Sequence, residues 1–510
     1  MFLRILEDSN TKSTKFLEGL VNGRYISNGI LEMKRKEGKD SLLRHLVNVF
    51  KFDQPDLKPY SFILSRDIYN WVLNENEYSI TDLLIELVRL FNDINFSKVN
   101  QDILGDIYEH YLDQEEEKDS KRTARRLLGQ YYTPKPIVRL MWYLTRDVIQ
   151  KYQSRDLYSK GNDYLNIIDP ACGSGTFISE AILHINESAS KSKINKNGKV
   201  FHFIKDRDES KRIENNLFGF EINPLSKSIA DINLFFSLIQ AYGENSSEEV
   251  IDDINVYRTN SLNLSDSENL VDENDIEEKV LFLKTEIKKS YMQNYKLNLA
   301  KSQKYDVVIG NPPYGSMDVN KIMKKELIPF AFAENNFDLE GVNIKFKWGN
   351  KDFSGKVPSN EKNLGKLNDL YGYFFGLADI LCEEEGIISF ITSNTYLTIP
   401  TYKWFRKYIL ENYTIEYIIN FNKISEKGNS IFFPDAGVAT SIIIMRKKIA
   451  DSNHEINYLD LSKLDNIKEK YEAFCDITWN KKTGTLNKND IKNFLAVSYT
   501  HLTLPTIYFV

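Results

Sequence analysis

Asn311-Pro312-Pro313-Tyr314 brings together an amide side chain, a backbone carbonyl and an aromatic ring, directly after the apolar run Tyr305-Asp306-Val307-Val308-Ile309-Gly310. Two consecutive prolines fix φ and remove backbone donors, so the loop is stiff. Such a cluster suits a flat heterocycle bearing an amino group: oxygens accept the N–H hydrogens and the ring stacks on the face. The run before it reads as a buried parallel strand, short and β-branched, stopping at Gly310. The cluster therefore stands at a strand's carboxyl end, where ligands sit in open α/β sheets.

A second group lies upstream. Asp169-Pro170-Ala171-Cys172-Gly173-Ser174-Gly175-Thr176-Phe177 ends one strand and opens a helix. Its glycines permit a tight turn and close backbone approach to a ligand. No Gly-Lys-Ser/Thr follows, so it is not a phosphate loop. Cys172 has no accompanying His and reads as a small packed residue rather than a nucleophile. Phe218-Gly219-Phe220-Glu221-Ile222-Asn223-Pro224 ends the next strand on a carboxylate able to accept both hydroxyls of a ribose, although alone it could be a surface acid or a helix cap. Asn260, past a third strand, offers a donor and an acceptor to an adenine edge. Gly129-Gln130-Tyr131-Tyr132-Thr133-Pro134-Lys135-Pro136 leads into a helix at about Ile137, with Thr133 as N-cap and Pro134 at the first helical position. Capping explains Thr-Pro but not the four residues before it.

These residues need a scaffold, and the pattern supplies one. Strands are expected at residues 165–169, 217–221, 253–257, 305–310, 386–392, 415–421 and 438–446, with apolar helical stretches between several of them, notably 178–185 and 229–238. That alternation is an α/β chain with a doubly wound sheet. Residues 191–214, 266–303 and 334–366 are polar insertions; the last is either a cover for the site or a disordered surface loop. Residues up to about 126 read as mostly helical, with amphipathic spacing at 80–90 and 102–112. The connector at 115–126 carries Lys121, Arg122, Arg125 and Arg126: a solvated helix face first, a phosphate contact second. Glu32-Met33-Lys34 is a lone Glu-x-Lys with no preceding strand and acid, which chance explains better than a metal-dependent nuclease.

With 510 residues there is room for two or three domains, and 42% hydrophobic with 27% charged residues is an ordinary globular balance. A net charge of -6 gives no global argument for nucleic acid, so any DNA contact must come from local patches. Cys172, Cys382 and Cys475 stand far apart and in no ligand spacing, which argues against a disulfide framework or a zinc site and fits a reducing cytoplasm. Met1-Phe2-Leu3-Arg4 is followed quickly by Glu7 and Asp8, unlike a signal peptide, and no apolar run is long enough for a bilayer. Residues Val497-Ser498-Tyr499-Thr500-His501-Leu502-Thr503-Leu504-Pro505-Thr506 read as a translated transposase-type sequencing adapter, reproduced by the codons GTC TCT TAT ACA CAT CTG ACG CTG CCG ACG. On that reading the natural gene continues beyond about Ala496; the alternative is a real β-rich tail.

Taken jointly, residues 129–136, 169–177, 218–224 and 306–314 resemble the N6-adenine DNA methyltransferases of bacterial restriction–modification systems. Their order matches the gamma arrangement, in which the cofactor motifs precede Asn-Pro-Pro-Tyr and a target recognition domain follows. The block from Asn368-Asp369-Leu370-Tyr371 to Ser393-Asn394-Thr395-Tyr396 is similar to the family's helix and fifth strand, and Ile431-Phe432-Phe433-Pro434 to the segment before its final hairpin. The N-terminal helices look like those of type I modification subunits and fused single-chain restriction enzymes.

The resemblance, covering most of residues 75–448, implies a Rossmann-like class I methyltransferase sheet preceded by a helical domain. The expected domains are residues 1–126 (helical), 127–448 (methyltransferase), 449–496 (start of a truncated target recognition domain) and 497–510 (adapter-derived). It also implies S-adenosylmethionine as cofactor. Gln130, Tyr131, Tyr132, Thr133 and Pro134, with Asp169, Ala171, Gly173, Ser174, Gly175 and Thr176, would hold its methionine part and Glu221 its ribose. Asn260 stands where the family usually has Asp. The implied partners are double-stranded DNA and a specificity or restriction subunit or fused module, with no membrane. The implied reaction is methyl transfer to a flipped-out adenine, with Asn311, Pro312, Pro313 and Tyr314 as the catalytic set and Phe432 or Phe433 as a second stacking face or core residue. Two rivals stand beside it. Similar loops serve protein glutamine side chains, but those enzymes are usually compact and lack the helical region and the 129–134 block. A non-catalytic DNA-binding subunit is opposed by the intact Asn311, Tyr314, Asp169 and Glu221. The recognition sequence is not legible.

Overall fold

Short apolar runs bounded by glycine or proline become strands, and the longer apolar stretches between them become helices. The computed structural model describes residues 133–153, 155, 157, 164–189, 191–194, 200–203, 213–242, 254–262, 285–314, 343–348, 351–356, 370–399, 402–421, 439–460 and 500–503. The N-terminal region expected to be helical, the basic connector, Gln130 to Tyr132 and Phe432 and Phe433 lie outside the described residues.

The elements run α1 (Lys135–Gln153), β1 (Ile167–Asp169), α2 (Thr176–Ala189), β2 (Lys191–Ile194), β3 (Val200–Phe203), β4 (Leu217–Glu221), α3 (Pro224–Tyr242) and β5 (Val256–Arg258). There follow α4 (Thr285–Ser302), β6 (Tyr305–Gly310), β7 (Asn343–Trp348), β8 (Lys351–Lys356), α5 (Leu370–Leu381) and β9 (Cys382–Ser393). The last are α6 (Thr395–Thr398), α7 (Lys403–Asn412), β10 (Thr414–Phe421), β11 (Thr440–Arg446), β12 (Glu455–Asp460) and β13 (Thr500–Thr503). The insertions are not without structure: β2–β3 and β7–β8 each form a two-stranded antiparallel sheet, and α4 occupies the end of the second insertion. The third strand begins at Val256, later than residue 253, and β9 begins at Cys382, earlier than residue 386.

The main sheet has the order β13-β12-β10-β11-β9-β6-β1-β4-β5. Strands β5, β4, β1, β6 and β9 are mutually parallel, β11 runs against β9 and β10, and β12 lies parallel to β10. This is the doubly wound, Rossmann-like sheet expected. It continues past residue 448 through β12, and Thr500–Thr503 pairs with β12 along one edge, a contact that needs only backbone groups. From β1 the chain winds outward to β4 and β5 on one side and to β6 and β9 on the other. The β1/β6 boundary is therefore the topological switch point, where a crevice opens at the carboxyl ends.

Alternate strand residues feed two cores. Ile167, Val307, Ile309, Ile387 and Ile442 pack with α1, α2 and α3; Ile168, Val308, Ile388, Phe390 and Ile443 pack with α5 and α7. A sheet covered on both faces explains the continuous apolar runs.

Helix α1 is tied down along its length. Trp142 Nε1 donates to the Phe177 carbonyl at 2.8 Å, Arg139 pairs with Glu180 at 2.8 Å, and Thr145 Oγ1 bonds Ser389 Oγ at 3.0 Å. At its far end Tyr152 donates to Glu416 Oε2 at 3.0 Å, beneath the Arg446 guanidinium, which itself donates to Glu416 Oε1 at 2.8 Å. These anchors on α2 and on β9, β10 and β11 fix where the first turn of α1 begins.

Candidate active site

Register brings the three motif-bearing strand ends side by side. Asp169 on β1 is level with Gly219 on β4, two residues short of Glu221, and Ile168 on β1 is level with Val308 on β6, two residues short of Gly310. The Asp169 loop, Glu221 and the Asn311 loop thus open on one edge of the sheet.

The Asp169 loop turns through Gly173 (φ +54) and Gly175 (φ +82), left-handed values that favour glycine. Among the described residues a Cβ on Gly173 would meet nothing within 4 Å, whereas one on Gly175 would press on Ala230 of α3 at 3.2 Å. Gly175 is therefore a packing glycine, while Gly173 borders open space that a ligand can fill. Ser174 Oγ and Thr176 Oγ1 lie 3.1 Å apart and bond each other. Asn233 Nδ2 holds the Ser174 carbonyl at 2.9 Å, and Ser261 Oγ holds the Pro170 carbonyl at 2.6 Å. The motifs alone did not reveal these two supports; the polar Asn233 inside the apolar stretch 229–238 was the one available signal.

Asp169 is fully buried. Its Oδ1 accepts from Ala171 N at 3.0 Å, and its Oδ2 has no hydrogen-bond partner among the described residues. Burial, reinforced by the neighbouring Glu221 and only partly relieved by the Ala171 N–H, pushes its pKa up to about 8. A carboxyl group held this way awaits a hydrogen-bonding or cationic partner. Glu221 accepts from Gly173 N at 2.9 Å and from Asn223 N at 2.7 Å. Its pKa is also raised by burial, against the opposing effect of these backbone donors. In this structure Glu221 therefore braces the glycine loop, with carboxylate lone pairs left for further donors. Asn260 turns its Oδ1 to Leu262 N at 3.2 Å, a local turn contact. Cys172 is buried and its thiol is pushed well up by burial and the adjacent carboxylates, so it packs rather than reacts.

Asp169→Asn is expected to stabilise the ligand-free protein. The folded carboxyl keeps a proton that the unfolded chain loses in the ordinary Asp range, so Asp169 lowers stability progressively as pH rises from about 4 to about 8. The melting-temperature gain should accordingly be larger near pH 8 than near pH 5; an equal gain at both would rule out this titration.

Asn311 follows β6 half-buried, Pro312 is buried, and Tyr314 is only 5% exposed. Asn311 Nδ2 donates to Thr133 Oγ1 at 2.8 Å, joining two motifs 178 positions apart. The Pro134 carbonyl accepts from Ile137 N at 2.9 Å, which places Pro134, not Thr133, immediately before the first helical residue. The Thr133 hydroxyl faces the site instead. Among the described residues no cluster of His, Cys, Asp and Glu could hold a metal, and no helix is long and apolar enough to cross a membrane.

The chain is similar in sequence and fold to known proteins. The chain is 21% identical over 437 residues to the type II restriction enzyme and methyltransferase RM.Eco57I of Escherichia coli, covering 83% of this chain and 39% of that protein. It is 28% identical over 137 residues to the type I restriction enzyme MjaVII methylase subunit of Methanocaldococcus jannaschii, covering 27% of this chain and 18% of that subunit. Among solved structures, the type ISP restriction-modification enzyme LlaGI, a nuclease-deletion mutant with a DNA substrate mimic, shares the fold at a TM-score of 0.58 and 18% identity, covering 92% of this chain and 34% of that one. The ATP-dependent type ISP enzyme LlaBIII bound to DNA does so at 0.55 and 20% identity, covering 94% and 29%. The chain thus spans well under half the length of these relatives. In sequence the chain is similar to restriction–modification methylases, and its residues 215–426 match the model of the Eco57I restriction-modification methylase family.

Proposed function

We propose that this chain methylates the exocyclic N6 of an adenine rotated out of duplex DNA, using S-adenosylmethionine. The observation that carries the reading is one sheet edge on which a buried acid, a glycine turn with open space beyond it and the Asn-Pro-Pro-Tyr loop stand together at the switch point. The match to restriction–modification methylases supports it.

The residues present fit that cofactor. The buried Asp169 Oδ2 and the space beyond Gly173 suit its methionine part, held with Ala171, Ser174, Gly175, Thr176 and the 130–134 block. Glu221 and Asn260 suit its ribose and adenine. When bound, S-adenosylmethionine supplies an electrophilic methyl group.

The chain's own part is to hold the base. A stacked adenine cannot present its amino group, so it must leave the helix. Asn311 Oδ1 and the Pro312 carbonyl accept the two N6 hydrogens, drawing the nitrogen toward sp³ character and aiming its lone pair. Tyr314 is the stacking residue, worth about 1–3 kcal/mol; stacking requires its ring, buried here, to turn a face outward. No base is needed before attack because the proton can leave afterwards, so most of the acceleration comes from positioning. Double-stranded DNA is the partner in this reading, in the cytoplasm. Specificity or cleavage belongs to a further subunit or fused module, since the relatives' names pair restriction with methylation.

The test is tritiated methyl transfer from S-adenosylmethionine to unmethylated DNA by the full-length protein. Label recovered as N6-methyladenine is expected; label in protein and none in DNA would overturn the reading.

A further inference from the structure

The contact between Thr133 and Asn311 falls outside the roles just assigned. Thr133 belongs by position to the block that would hold the cofactor, yet its hydroxyl lies 2.8 Å from Asn311 Nδ2 and its side chain is buried. We infer that Thr133 is a positioning residue for methyl transfer, holding the Asn311 amide so that Oδ1 faces the adenine amino group. The inference rests on the adenine reading above.

An asparagine amide is nearly symmetrical in shape and opposite in chemistry at its two ends. With Oδ1 toward the base it accepts an N6 hydrogen; rotated half a turn it presents N–H groups to N–H groups and repels. The torsion that interconverts the two is broad and soft, so nothing within Asn311 chooses between them. A hydroxyl at one end supplies the choice. Receiving an Nδ2 hydrogen, Thr133 fixes the plane of the amide and commits the nitrogen end, leaving the oxygen end for the substrate. The donated bond also polarises the amide, making Oδ1 the stronger acceptor as positive charge grows on N6.

Thr133 is well placed for this because it does not move with the loop it steadies. It precedes α1, which is anchored on α2 and β9 through Trp142, Arg139 and Thr145. Asn311 follows β6, which lies between β1 and β9. The bond therefore ties the stiff loop to a second rigid element, the arrangement that keeps a reacting geometry fixed without reorganisation.

The test compares Thr133→Val, Thr133→Ala and Thr133→Ser in the full-length protein, by single-turnover methyl transfer at saturating cofactor and DNA, by calorimetric affinity for S-adenosylmethionine and by melting curves. Valine and alanine should slow transfer about tenfold, roughly the worth of one hydrogen bond in the transition state. Any fall in cofactor affinity reports the place of Thr133 in the 130–134 block and is removed from the rate by saturation, and serine should restore the rate. The melting curves identify a variant that fails to fold, and the other then carries the test. Wild-type rates at saturation, whether or not cofactor affinity has fallen, would overturn this inference alone. A wild-type protein that methylates no adenine would overturn the adenine reading and this inference with it.

Discussion

Asn311→Ala is expected to reduce methyl transfer by on the order of a thousandfold, the usual loss when a preorganised hydrogen-bonding group that acts in the transition state is removed. The physical reason is local. In the proposed reaction two oxygens would accept the N6 hydrogens; the Pro312 carbonyl is backbone and survives, while Asn311 Oδ1 disappears. With one acceptor the amino group keeps its lone pair conjugated into the ring and is a poor nucleophile. Asn311 is half-buried and is given no part in holding the cofactor in the proposed site, so cofactor affinity should change by less than about threefold and the melting temperature little. Single-turnover transfer beside calorimetric cofactor binding measures both. A variant that keeps more than about a tenth of the wild-type rate would show that the amide does not hold the reacting group.

Gly310→Ala should be the most damaging small change in the sheet. A Cβ there would stand 2.4 Å from Asp169 Oδ1 and 3.0 Å from its Cγ. Asp169 is a short, fully buried side chain bonded to Ala171 N, so it has nowhere to retreat without dragging the glycine turn along. Overpacking of this kind costs about 1–3 kcal/mol, occasionally more. The displaced carboxyl should also weaken cofactor binding by more than about tenfold. Thermal melting and calorimetry would register both losses together; wild-type affinity with a lowered melting temperature would separate Asp169 from the cofactor site.

Gly310 also shows how far reading the chain can go. From the sequence it is a strand terminator, and the strand does end there. Its reason is different: β1 lies beside β6 in a register that brings Asp169 against it, and that register follows from packing two cores at once. Strands at 217–221 and 305–310 were legible to the residue because short runs of aromatic or β-branched residues, ending on an acid or a glycine, favour a pleated buried strand. The β2–β3 and β7–β8 pairs were not, since polar segments carry no period that distinguishes hairpin from loop. Glu221 was legible as a carboxylate at a strand end, but its bonds to Gly173 and Asn223 were not.

The Asn-Pro-Pro-Tyr loop marks the same divide. Residue types and spacing alone determined that an amide, a carbonyl and a ring stand at the end of a buried strand, because proline stiffness and β propensity act over a few residues. Only the tertiary structure decided that the amide meets Thr133, 178 positions earlier, that the buried Asp169 faces Gly310, and that Tyr314 lies covered. Those contacts depend on strand order, register and the anchoring of α1, which are properties of the whole packed sheet.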